Sequence, residues 1–237
     1  MISCRGLRLH RGQLEVLRGI ELEVRPGQII GLIGRNGAGK STLIETLLGF
    51  HQPGAGKVEL WGTAARSLRS PLKQRIALVS QRDELMEGLT GQQQIALIAA
   101  FYPRWDGALV ARLTESWELP LSRPIRSYSL GQRQRLAIVL ALASRPQLLV
   151  LDEPVASLDP LARAQFLTEM RSLIADPERA VIISSHIVSD LEALVNWVWL
   201  LDQGQLKWSG PIDQIGTLMP DGDQSASLER VFSQVVR

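Results

Sequence analysis

An α/β fold with a mostly parallel sheet is predicted by three features of this 237-residue chain. Short, near-continuous apolar runs recur at 28–33, 76–79, 148–151, 181–184 and 198–201, as expected of strands buried on both faces. Segments with helical spacing alternate with these runs. One run passes directly into a glycine-rich loop that opens a helix.

Two weakly alternating segments, 7–10 and 15–24, read as N-terminal strands, closed by the turn signal Arg25-Pro26-Gly27. The strand 28–33 feeds the glycine-rich loop, and 41–48 has helical character. A turn at 52–57 leads to a strand at 58–61. Strand-like runs then vanish between Arg82 and Arg145. The helical patterns 92–101, 108–117 and 132–144 take their place, so 82–145 reads as a helical insertion in one domain. After the strand 148–151 come a helix at 161–174 and the last two apolar runs. The tail 220–237 is polar to Ser225 and weakly amphipathic from Leu228.

Composition narrows the class. Hydrophobic residues make up 45% of the chain and charged residues 21%, enough for a full core. The net charge of +2 rests on 26 basic against 24 acidic residues. No basic tract and no alternation of Arg with aromatics is present, which argues against a nucleic-acid partner. The single cysteine, Cys4, excludes a disulfide framework and fits a reducing compartment. Arg5, Arg8 and Arg11 lie near the start with no apolar core after them, unlike a signal peptide. The longest apolar run, 136–143, is far short of the roughly 18 residues a membrane helix needs.

Gly34-Arg35-Asn36-Gly37-Ala38-Gly39-Lys40-Ser41-Thr42 matches the phosphate-loop pattern between an expected strand and an expected helix. Glycines let successive backbone N–H groups converge on phosphate oxygens, and the helix turns its positive end to the same anion. Lys40 supplies a point charge for the β- and γ-phosphates, and the Ser41 hydroxyl suits Mg²⁺. A glycine-rich surface turn would share the composition but not this context.

The strand 148–151 ends in Asp152-Glu153. Ligands of α/β sheets bind at the carboxyl ends of strands. Asp152 there suits Mg²⁺, and Glu153 suits an attacking water. A helix cap after a core strand would use the same residues; the phosphate loop in the same chain favours chemistry.

The order of these motifs resembles the nucleotide-binding subunits of ABC transporters. The likeness runs over roughly residues 1–215: phosphate loop, Gln81 after a strand, a helix-opening Ser129-Leu130-Gly131-Gln132, Asp152-Glu153, and His186 after a late strand. Ser129, Gly131 and Gln132 match the family's signature motif, while Tyr128 and Leu130 stand where Leu and Gly are usual. The resemblance implies an ABC ATPase fold with N-terminal antiparallel strands. It also implies ATP and Mg²⁺ as ligands and ATP hydrolysis by two subunits paired head to tail, the second a copy of this chain. Gln81 would touch Mg²⁺ or the water and couple to a membrane partner, and His186 would contact the γ-phosphate. Ser129, Gly131 and Gln132 would face the nucleotide of the other subunit, and Asp159, within Ser157-Leu158-Asp159, would line the dimer interface. The family's adenine-stacking aromatic has no counterpart; His10 and Arg11 occupy its place. The stretch Phe101-Tyr102-Pro103-Arg104-Trp105-Asp106 resembles ATPases of ABC-2-type exporters, which implies a separate permease and a peripheral location on the cytoplasmic face of the membrane. Rival readings are a non-transport ABC protein and a nucleotide-binding regulator without turnover. No Asn-Lys-x-Asp guanine-reading motif is present.

Overall fold

The structure, a computed structural model, describes residues 1–81, 84–155, 158–174, 176–185, 191–219 and 227–235. The chain forms two compact units: Met1–Arg69 with Asp176–Arg237, and Ser70–Ala175.

In the first unit, β1 (Ile2–Arg11) and β2 (Leu14–Val24) form an antiparallel hairpin. On its other side β1 pairs antiparallel with β4 (Ala55–Leu60), which continues into β5 (Thr63–Ala64). The first strand starts five residues before the expected 7–10. Ile2 and Cys4 face inward, and so do Leu7 and Leu9, so the alternation slips by one residue between the two pairs. Gly6, at φ +58°, takes up the extra residue where the β1–β2 register shifts; this bulge hides the strand from a period-two reading. Burial pushes the Cys4 thiol up to about 12, with Glu21 adding to the effect, so the side chain is an inert core group.

The second sheet of this unit is built on β3 (Ile29–Ile33). It pairs in parallel with β8 (Ala180–Ser185) and β9 (Trp197–Asp202). Every residue of β3 and β8 is buried, which explains their unbroken apolar sequence. The Asn196 side chain accepts from the Ile29 amide at 2.8 Å and donates to the Gly27 carbonyl at 2.9 Å, fixing where β3 starts. β10 (Gln205–Pro211) returns antiparallel along β9 through the turn Gln203-Gly204, both at positive φ. This strand was not expected. α1 (Lys40–Leu47) follows the loop after β3 and buries Leu43 and Leu47.

In the second unit, β6 (Ile76–Val79) and β7 (Leu148–Asp152) pair in parallel, Ile76 opposite Leu148 and Val79 opposite Leu151. α2 (Ser70–Lys73) precedes them. Between them lie α3 (Gly91–Ala99), α4 (Gly107–Ser116) and α5 (Leu130–Ala143), and α6 (Pro160–Ile174) follows. Each start has a side-chain cap at about the expected place. Thr90 and Gln93 form a capping box on α3, the Asp106 carboxylate accepts from the Leu109 amide at 2.9 Å, and Asp159 accepts from the Ala162 amide at 2.9 Å. The apolar run within 136–143 is the buried stretch of α5. No helix among the described residues is long and apolar enough to cross a membrane. In the first unit, α7 (Leu228–Val235) buries Leu228 and Val231; the rest of the tail, 220–226 and 236–237, lies outside the described residues.

Tyr128 is buried, and its hydroxyl donates to the Pro120 carbonyl at 2.9 Å. A Cβ on Gly91 would stand 2.2 Å from that hydroxyl oxygen and 3.1 Å from Leu121 Cδ2. Gly91→Ala is therefore expected to overpack this corner and lower stability by about 1–3 kcal/mol. Thermal unfolding of the two proteins checks it; equal midpoints would mean that Tyr128 swings aside at no cost.

Candidate nucleotide site

The phosphate loop lies in the first unit. Gly34 is pressed against β9: a Cβ there would meet the Leu201 carbonyl oxygen at 2.4 Å. Gly37 and Gly39 take φ of +83° and +104°, where side chains are strained. The turn after β9 flanks the loop, Gly204 N–H donating to the Ala38 carbonyl at 3.0 Å. Gly39 is the N-cap of α1, so no side chain covers the first amides of the helix, and its first turn holds no acid. Lys40 is buried, and its ammonium donates to the Gly34 carbonyl at 2.8 Å. Open amides, a positive helix end and a buried ammonium fit the phosphates of a nucleotide. Asn36 and Gly37 are exposed, Ser41 is half-buried and Thr42 is buried.

The second unit gathers three of the expected residues at one strand edge. Asp152 ends β7 and Glu153 follows it, both buried. Gln81 lies two residues beyond Val79, and Glu153 two residues beyond Leu151. Because Val79 and Leu151 are register partners, the two occupy equivalent positions past the parallel pair. Glu153 has φ +51°, an uncommon backbone for a residue with a Cβ and one that functional sites often hold at a cost of about 1–3 kcal/mol. Within this unit, Gln81 and Asp152 offer oxygen donors of the kind that suits Mg²⁺. No group of three or more His, Cys, Asp and Glu suited to a metal occurs among the described residues; Mg²⁺ typically completes its shell with water and phosphate.

The signature residues cap a helix. Ser129 Oγ accepts from the Gln132 amide at 3.2 Å, and Gln132 Oε1 accepts from the Ser129 amide at 3.0 Å. Ser129 is exposed, Gly131 is half-buried, and the Leu130 side chain stands 62% exposed on the first turn. His186 and Ser157 lie outside the described residues.

Arg135 was missed by the sequence reading. Six residues along α5 from Ser129, its guanidinium pairs with the Asp159 carboxylate and donates to the Trp117 carbonyl at 3.2 Å. The Ala162 amide, first, and then Arg135 hold the Asp159 carboxyl below the usual carboxylate range. The link ties the helix opened by Ser129 to the segment that opens α6. Nothing in the sequence marks a pair 24 residues apart. With Asp159 half-exposed, solvent screens the pair and Arg135→Gln is expected to cost little stability. Under the ATPase activity that the resemblance implies, turnover should fall several-fold, with partial recovery in Arg135→Lys; equal turnover in all three proteins would show that the link carries nothing.

The loop of the first unit is that of a phosphate-loop protein. Residues 17–156 match the family described as ABC transporter, and the chain belongs to that family. It is 32% identical to the Nod factor export ATP-binding protein I of Ralstonia nicotianae, over 86% of this chain and 65% of that protein. It is 34% identical to the methionine import ATP-binding protein MetN of Mesorhizobium japonicum, over 85% of this chain and 58% of that one. The chain thus spans about three-fifths of these relatives' lengths. A solved ATP-binding subunit of an ABC transporter matches at a TM-score of 0.88 and 28% identity, covering 99% of both chains.

Proposed function

We propose that the protein is the ATP-binding and ATP-hydrolysing subunit of an ABC transporter, driving transport through a separately encoded membrane permease. The phosphate loop carries this reading: a buried Lys40 over positive-φ glycines at an uncapped helix end is built for polyphosphate.

Lys40 and the α1 amides bind and orient the β- and γ-phosphates. Ser41, Asp152 and Gln81 would hold Mg²⁺, which when bound would neutralise charge on the phosphoryl oxygens. Glu153 accepts a proton from the attacking water, and His186 orients the γ-phosphate. Positioning and fixed charge supply most of the rate, as in phosphoryl transfer generally. The exposed Ser129 end of α5 offers a second positive helix terminus to the nucleotide of another copy of this chain, so that ATP joins two subunits and its hydrolysis releases them. The membrane partner would hold the chain at the cytoplasmic face. The relative named for Nod factor export and the 101–106 stretch favour export through an ABC-2-type permease. The equally similar methionine import protein makes direction a matter for a transport assay.

ATP turnover by the purified chain at rising concentration tests this. A rate that climbs with the square of concentration at the low end is expected. Nucleotide binding with no turnover, alone and with the permease, would favour the rival reading, a regulator whose exposed Leu130 blocks close approach to the helix end.

A further inference from the structure

In the first unit, three charged or titratable side chains meet beside the phosphate loop without a part in the chemistry so far described. Arg11 ends β1, and Glu45 lies on α1, five residues and about 7.5 Å along the helix axis from Lys40. Arg11 Nη2 donates to Glu45 Oε2 at 3.3 Å. His51 Nε2 lies 2.7 Å from the same oxygen and 3.2 Å from Arg11 Nη2. A proton on His51 Nε2 makes the shorter contact a bond to Glu45; that nitrogen then offers no acceptor to Arg11, so Glu45 is what holds the guanidinium. Nε and Nη1 of Arg11 have no partner among the described residues, and its side chain is 57% exposed.

The same hairpin reaches the loop. Its register passes from Leu9 opposite Leu17 to His10 opposite Glu15, so Val16 is an extra residue in β2. Bulges re-aim side chains next to functional sites. This one lies at the N-cap of α1: a Cβ on Gly39 would stand 3.3 Å from the Val16 carbonyl oxygen and 3.7 Å from Val16 Cγ1. Val16 is half-buried, and Leu14, the partner of Arg11 across the hairpin, is exposed. The phosphate seat is thus flanked by apolar surface with one positioned guanidinium at its rim. A nucleotide base calls for that pairing, apolar contact on its face and a fixed polar group at its edge. Residues 1–49 hold no Phe, Tyr or Trp, so the guanidinium is the flat charged group that this hairpin offers.

We propose that Arg11, positioned by Glu45, reads the base of the bound nucleotide and makes GTP a ligand at least as good as ATP. A guanidinium donates and never accepts. Guanine presents two neighbouring acceptors, O6 and N7, whereas adenine presents N7 beside its N6 amino donor. Arg11 therefore matches the edge of guanine and is opposed by the amino group of adenine. The inference deepens the reading of the phosphate loop as a nucleotide site and rests on it.

The test uses the full chain and displacement of a ribose-labelled fluorescent ADP by GTP, by ATP and by inorganic tripolyphosphate, which has no base. In the parent chain GTP should bind as tightly as ATP or more tightly, within about threefold at the least. Arg11→Ala should weaken GTP about tenfold, the loss of one charge-assisted contact, with a smaller change for ATP and none for tripolyphosphate. Glu45→Ala should move the GTP-to-ATP ratio in the same direction and add nothing in the double variant, because it acts through Arg11. Arg5→Ala, an exposed arginine on the same strand, should leave all three ligands unchanged. ATP binding more than threefold tighter than GTP in the parent, or a ratio that Arg11→Ala leaves unchanged, overturns the proposal while the nucleotide site stands. No binding of the labelled ADP at all would overturn the nucleotide site, and the proposal with it.

Discussion

Glu153→Gln is expected to lower ATP turnover by about 10²–10³-fold while leaving ATP binding intact. Removing a positioned general base typically costs about 10²–10⁴-fold. Gln has nearly the same shape as Glu, so the buried site is not emptied. It also meets the same left-handed backbone at φ +51° on the same terms, so the substitution changes the proton acceptor and little else. Single-turnover hydrolysis measured beside nucleotide binding separates the two steps. Turnover within about threefold of the parent would remove Glu153 from the chemistry and leave Asp152 as the functional acid of this strand edge. A second consequence is that the variant holds ATP without splitting it. If ATP joins two copies, size-exclusion chromatography with ATP should show a dimer that the parent chain forms only in passing.

The sequence made the buried strands plain and the exposed ones obscure, for one reason. β3, β7 and β8 are covered on both faces, so their apolar runs carry no second pattern to confuse them. β10 is covered on one face only, and its half-buried positions, Leu206 and Trp208, are spaced by Lys207 and Ser209 in too short a run to stand out. β1 was shortened in the reading because the bulge at Gly6 breaks its alternation. At the candidate site, local chemistry was legible and long-range partnership was not. The loop glycines and Ser129 were readable because turn and cap geometry is set by residues within a few positions. The Arg135–Asp159 link and the cover that Tyr128 gives to Gly91 are made by folding alone. Tyr128 looked like a departure from the family's usual residue, yet its hydroxyl serves a packing corner rather than the nucleotide.

Lys40→Ala should weaken ATP binding by about 10²-fold or more and abolish turnover. The ammonium is buried and held 2.8 Å from the Gly34 carbonyl, so most of its desolvation is already met in the folded protein before nucleotide arrives. Exchanging a carbonyl partner for phosphate oxygens then adds charge-assisted hydrogen bonds, each contributing about 1.5–3 kcal/mol. Two such contacts account for a factor of 10² or more. The opposing effect is on the loop. The lysine also bonds across its own turn, so its removal frees the Gly34 carbonyl and costs a hydrogen bond worth about 1 kcal/mol. The backbone at Gly37 and Gly39 and the contact of Ala38 with Gly204 are independent of that side chain, so the loop should keep its course. The expected signature is therefore a large loss of affinity with a small loss of thermal stability, read by nucleotide titration and calorimetric unfolding of the same sample. A large fall in unfolding temperature with an equal fall in affinity would mean that Lys40 braces the loop and that its charge is not the main grip on phosphate.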